Sequence, residues 1–148
     1  MNAVDPPLGD TDYAALARFR HTIRQFHAFS EARAAEVGLT PQQHQALLAI
    51  RAVEPDQATV GYVAERLILK PNSATGLVDR LEALGLLVRK VAENDRRCAV
   101  LRLTAKAYDI LAALSAVHRD EIRRLRPLLA GVLDQLGDGM DDAGVKNP

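Results

Sequence analysis

The chain is poor in cysteine, tryptophan and aromatic residues in general. Cys98 is the single cysteine of 148 residues, Trp is absent, and aromatics make up 4%. One thiol can neither close an intrachain disulfide nor build a CxxC zinc or redox centre. That usage fits a reducing compartment, so a cytoplasmic protein is expected. Scarce aromatics argue against a stacking platform for single-stranded nucleic acid. No apolar run approaches the roughly 20 residues of a membrane helix, so no membrane association is expected. Met1 to Asp12 is acidic and bears Pro and Gly, the wrong composition for a signal peptide. Net charge is missing too: 19 basic side chains face 19 acidic ones. This excludes a generally polybasic protein, though not one with a basic face.

Enzyme signatures are also lacking. His21, His27, His44 and His118 show no HExxH or paired-ligand spacing, and His118 with Glu121 makes only two groups at one place. There is no P-loop, GxGxxG or GxSxG. Gly137-Asp138-Gly139 belongs to a Gly-rich tail. Catalysis, a metal and a cofactor are therefore not expected.

What remains is ordinary globular material, 48% apolar and 26% charged. The length suits one domain, burying roughly two thirds of its unfolded surface without a disulfide or metal. Residues 1–11 read as a loose arm. From Asp12 to about Glu36 there is no Gly or Pro, and Leu16, Phe19, Ile23, Phe26 and Phe29 step by three or four along one helix face. Gly38 suits its C-terminal cap. Thr40-Pro41-Gln42-Gln43 has the form of a capping box opening a second helix to about Val53. Glu54-Pro55-Asp56 is a turn. Two short amphipathic helices follow, Thr59 to Leu67 and Pro71 to Leu84, joined by Ile68-Leu69-Lys70 and stopped by Gly85. That is the helix-turn-helix pattern. Leu86 to Ala92 and Cys98 to Leu103 are short and rich in β-branched residues around a polar turn, as in a β-hairpin. Thr104 caps a long helix to about Arg126, Pro127 breaks or kinks it, and Leu128 to Leu136 gives one more helix. The expected fold is mainly α with a small β-hairpin: a winged helix-turn-helix lobe plus a helical lobe.

Charge position is more informative than the total. Residues 61–104 hold eight basic groups (Arg66, Lys70, Arg80, Arg89, Lys90, Arg96, Arg97, Arg102) against five acidic ones (Glu65, Asp79, Glu82, Glu93, Asp95). A basic central lobe suits a reader of double-stranded DNA, where phosphate contacts supply most non-specific affinity. It also suits a plain solvated hairpin; the adjacent helix-turn-helix favours DNA. The second helix of the pair enters the major groove by its N-terminal part. Its outward face carries Asn72, Ser73, Thr75 and Gly76, with Lys70 before it and Arg80 further on. Asn can pair with adenine, and Ser or Thr can meet bases or phosphates; Asn72 and Ser73 can also simply cap the helix. The hairpin tip, Asn94 to Arg97, can reach the neighbouring minor groove, which attracts Arg when narrow. Asp95 would hold a neighbouring Arg in one geometry.

The ordered set LTPQQHQALLAI, VAERL, SATGLVDRLEALGLLVRK and DRRCAVLRLT, with Asp95, Arg97, Leu103 and Thr104 in a D-x-R…LT pattern, resembles the MarR family of winged-helix transcription regulators. With the flanking helices the resemblance covers about residues 12–136. It implies that Asp95 and Arg97 grip the minor groove. It departs at Ala107, where the family usually has Gly after the LT pair, and at Lys70-Pro71-Asn72, an atypical opening of the reading helix. The implied layout is a single domain over 12–136, with dimerisation helices at 12–37 and 105–136, a winged lobe at 40–104 and a tail at 137–148.

The resemblance further implies a homodimer, usually a repressor, on a pseudo-palindromic operator. The end helices support this with Leu16, Ile23, Leu111, Leu114, Leu128, Leu129, Leu133 and Leu136, more apolar side chains than one lobe needs. Finishing a monomer core is the alternative use for them. Family members often bind small aromatic or phenolic acids, so a small-molecule effector is implied. Its candidate lining is Phe26, Phe29, Ser30, His44, Leu47 and His118, though core packing is the plainer role for the two phenylalanines. The competing reading of the whole chain is a winged-helix module that binds protein and not DNA.

Overall fold

A computed structural model describes residues 7–92 and 97–137. Helix α1 runs Asp10–Glu36, with Asp10 and Asp12 at its positive end. It stops at Gly38 (φ +78°), where the amides of Gly38 and Leu39 bond back to Ala35 and Ala34. Helix α2, Pro41–Ala52, opens with the full capping box: Gln43 N–H donates to Thr40 Oγ1 at 3.2 Å, and Thr40 N–H to Gln43 Oε1 at 3.0 Å. A 3-10 turn, Pro55–Gln57, leads to α3, Val60–Leu67, capped by Thr59. Helix α4, Pro71–Ala83, ends ahead of Gly85 (φ +72°). Strands β1 (Leu87–Val91) and β2 (Ala99–Leu103) pair antiparallel, Leu87 opposite Leu103 and Val91 opposite Ala99. Helix α5 spans Ala105–Leu136.

Of the break or kink expected at Pro127, the break does not occur: α5 is one helix with Pro127 inside it. A proline removes one N–H from the ladder. Buried Leu125 and Val132 hold the turns on either side, which offsets that loss.

The chain divides into two compact units, residues 30–118 and the stretches up to 29 and from 119. The 30–118 unit holds the winged helix-turn-helix. Its core contains Leu47, Val63, Leu77, Val78, Leu81, Leu86, Leu87 and Leu101, all essentially without exposure. At about 1.5–3 kcal/mol for each such side chain, this core fixes α3, α4 and the hairpin against one another. Leu111 and Leu114 are buried in the same core, so they serve this unit and not the dimer surface expected for them. Thr104 joins three elements: it caps α5 through Ala107 N–H, donates Oγ1–H to the Gly85 carbonyl at 2.7 Å, and bonds Leu86 O through its own N–H.

In the other unit Ala15, Thr22, Leu125 and Val132 are buried, and Arg18 donates to Gln135 Oε1 at 2.9 Å. Tyr13, Leu16, Phe19, Ile122, Leu128 and Leu133 stay exposed. Among the described residues no helix is long and apolar enough to cross a membrane.

Candidate nucleic-acid interface

The start of α4 is a polar, uncovered surface. Lys70 is its N-cap residue, with extended backbone and no side-chain cap bond. Capping was the alternative use for Asn72 and Ser73; the cap lies two residues earlier, so both stand exposed inside the first turn. The first turn has no side-chain cap bond, an arrangement suited to phosphate oxygens. Thr75 is exposed and donates its hydroxyl to Pro71 O at 3.0 Å, leaving oxygen lone pairs to accept. Arg80 is exposed and has no ion pair among the described residues. Its guanidinium lies along Gly76, where an added Cβ would sit an ordinary 3.5 Å from Nη1. Gly76 therefore has no internal steric reason to be glycine.

Arg89 on β1 does something its sequence position does not disclose. It pairs with Asp79 at 2.5 Å and with Glu82 at 3.0 Å, and its N–H also meets Glu82. Both carboxylates of α4 are thus drawn toward the hairpin strand. The outward face keeps Lys70 and Arg80, which have no ion pair among the described residues. A matching signal existed in the sequence, two acids three apart on one helix, but their common partner comes from a different element. Arg102 is spent on the lobe itself, donating to the Pro55 carbonyl and pairing with Asp56 at 3.6 Å. Arg66 leans on Tyr62, with Nε 3.1 Å from the phenol oxygen. The basic excess of residues 61–104 therefore divides into framework arginines and outward ones.

Of the hairpin-tip candidates, Arg97 lies exposed in the turn before β2. Asp95 and Arg96 fall outside the described residues.

Of the candidate effector residues, Ser30, His44, Leu47 and His118 are in the 30–118 unit; Phe26 and Phe29, both half-buried, are in the other. Leu47 is a fully buried core residue. His118 Nδ1 donates to Leu114 O at 2.7 Å, because a carbonyl can only accept. That leaves Nε2 of the neutral ring to accept from Ser30 Oγ at 2.8 Å. The His44 ring stands edge-on to His118, centroids 4.8 Å apart. His44 is buried, and its Nδ1 has no hydrogen-bond partner among the described residues. Burial first, and then the neighbouring imidazole, push it below its ordinary value of 6.5. Among the described residues no three His, Cys, Asp or Glu side chains converge as for a metal.

Comparison with known proteins agrees with this geometry. A family model described as MarR family matches residues 37–97. The transcriptional repressor MprA of Escherichia coli K12 is 26% identical over 114 residues, 67% of this chain. The match spans 65% of the length of that curated relative. Among solved structures, AbsC, a MarR family transcriptional regulator from Streptomyces coelicolor, superposes with TM-score 0.67 at 22% identity over 80% of each chain. RV1404 from Mycobacterium tuberculosis gives TM-score 0.66 at 22% identity over 91% of this chain and 86% of its own. The Staphylococcus aureus MepR–DNA complex gives 0.65 at 21% identity, over 75% of this chain and 81% of that one. At these identities the structural likeness is one of fold.

Proposed function

We propose that this chain is a transcriptional regulator of the MarR family, acting as a homodimeric repressor that reads a near-palindromic duplex operator through α4 and the hairpin. The observation that carries this reading is the outward face of α4. Lys70, Asn72, Ser73, Thr75 and Arg80 are uncovered there, while Asp79 and Glu82 are held by Arg89. Lys70 and Arg80 would bind phosphates and set register; Asn72, Ser73 and Thr75 would meet base edges, Asn being suited to adenine. Arg97, with Asp95 and Arg96, would extend the contact into the adjacent minor groove.

The dimer is favoured by Leu16, Phe19, Ile122, Leu128 and Leu133, apolar side chains left in solvent on the helices of the other unit. A two-fold pair would present two copies of α4 to half-sites about one helical turn apart. Repression follows the name of the related MprA, and DNA as partner follows the MepR–DNA complex. For an effector, the supporting feature is the buried, unpartnered His44 Nδ1 beside the His118–Ser30 pair. A small phenolic acid engaging it would lower DNA affinity by a coupling between sites.

The test is recovery of bound fragments from fragmented genomic DNA of the source organism, followed by fluorescence anisotropy of the best fragment against salt. Tight, salt-sensitive binding of one dimer to a two-fold site is expected. Folded protein that enriches no fragment would reject DNA reading and favour a protein partner. Titrating 4-hydroxybenzoate into the complex tests the effector: release from the wild type but not from His44→Ala is expected, and equal release from both removes His44 from the site.

A further inference from the structure

Ile68, in the turn between α3 and α4, combines two features that oppose each other energetically. Its backbone is left-handed, φ 54° and ψ 50°, and it is the one non-glycine residue with positive φ among the described residues. Its side chain is 93% exposed. The left-handed conformation is what a helix end needs: the Ile68 N–H bonds back to the carbonyls of Ala64 and Glu65, and the Leu69 N–H to Ala64. Glycine fills such positions because it has no Cβ to crowd the carbonyl. This chain uses glycine there at the ends of α1, α4 and α5, at Gly38, Gly85 and Gly137, all with φ between 72° and 78°. At the end of α3 it places a β-branched residue instead, the type that tolerates the conformation least.

Nothing inside the lobe accounts for the choice. Leu67 and Leu69 on either side pack against the core, whereas Ile68 points away from it. An exposed aliphatic side chain held in a strained conformation is explained best by what it touches when the protein is engaged. The residues that follow it, Lys70, Asn72 and Ser73, form the exposed edge of the proposed reading surface. An aliphatic group makes no useful bond to phosphate or to the polar base edges. The apolar group that the major groove offers is the thymine 5-methyl.

We propose that Ile68 is a specificity residue that packs against a thymine methyl group in the operator half-site, ahead of the polar contacts of α4. This rests on the DNA-reading function proposed above. It assigns a preference for thymine over cytosine at one position per half-site, from a residue outside the reading helix.

The experiment uses the full chain and the genomic fragment recovered in the binding assay. Ile68→Gly and Ile68→Asn, both able to adopt the left-handed backbone, are compared with wild type for melting temperature, operator affinity and salt dependence. Both variants should melt at or above the wild-type temperature. Both should bind the fragment about three- to tenfold more weakly, as for loss of one apolar base contact, with an unchanged salt slope because no phosphate contact is lost. Each thymine of the site is then replaced in turn by deoxyuridine, which lacks only the methyl. One symmetry-related pair of positions should weaken wild-type binding and leave Ile68→Gly binding unaffected. Wild-type affinity in Ile68→Gly overturns the proposal, as does a deoxyuridine penalty equal in both proteins at every position. Wild-type protein that binds no duplex at all fails earlier, at the DNA-reading function itself.

Discussion

At the level of single residues, burial and ion pairing mark out the framework arginines. Arg89 and Arg102 look interchangeable with Arg80 in the sequence, yet they are committed to carboxylates and carbonyls of their own lobe. Arg97 is exposed at the end of the hairpin turn. Arg97→Ala should therefore weaken operator binding by about 1–3 kcal/mol with melting unchanged; unchanged anisotropy titrations would take Arg97 out of the interface. His44 carries a prediction of a different kind. Its folded state favours the neutral ring, so the unfolded chain takes up a proton first as pH falls through 6.5. The stability contributed by the neutral buried ring is complete above that pH and is lost progressively below it. His44→Leu, which removes the titrating group and the unpartnered Nδ1, should lose less melting temperature than wild type between pH 7.5 and pH 5.5. Parallel curves for the two proteins would show that His44 does not govern acid sensitivity.

At the level of elements, α4 is set by two demands. Ala74, Leu77, Val78 and Leu81 are buried at helical spacing and hold it in the lobe. The opposite face carries Gly76, which weakens a helix relative to Ala by about 0.5–1 kcal/mol. An alanine Cβ at that place finds only an ordinary contact with Arg80. Gly76→Ala should thus raise stability by up to about 1 kcal/mol while lowering operator affinity, because the outer face loses its close backbone approach. Denaturant titration and anisotropy on the same variant check both halves; a gain in stability with full affinity would show that DNA does not approach there. The hairpin is held in a different way. Leu101 N–H bonds to Ala58 O at 2.7 Å, and Arg102 reaches the Pro55 carbonyl, so β2 is tied to the segment before α3 as well as to β1.

At the level of the whole molecule, the apolar side chains fall into two classes. Many of those in the 30–118 unit fill one core, while Leu48, Ile68 and Val91 stay exposed. Several on the helices of the other unit are uncovered too: Phe19 is 43% exposed and Leu133 is 63% exposed. In the proposed homodimer a second copy of the chain would cover Leu16, Phe19, Leu128 and Leu133. Sedimentation of the wild type should give a dimer, and Phe19→Asp with Leu133→Asp should shift it toward monomer and lower operator affinity at the same protein concentration. A double variant that remains dimeric would place the subunit contact elsewhere.

Much of this architecture was legible in the sequence because it depends on local rules. The capping box at Thr40 and Gln43, the glycine stops at Gly38 and Gly85, and the three-and-four spacing on α3 and α4 each act within a few residues, and each appears where the pattern placed it. The ordered motifs from Leu39 to Thr104 carried the resemblance to the MarR family, whose model matches residues 37–97. Other features were decided by tertiary structure, because they depend on partners distant in the chain. Pro127 stays helical because side chains on both sides of it are buried. Leu111 and Leu114 belong to the core because α5 packs there, which periodicity alone does not reveal. Asp79 and Glu82 are paired with Arg89, on a strand ten and seven residues away. Ile68 reads as one more apolar residue in Leu67-Ile68-Leu69; only the left-handed turn, imposed by α3 ending before α4 begins, directs its side chain into solvent.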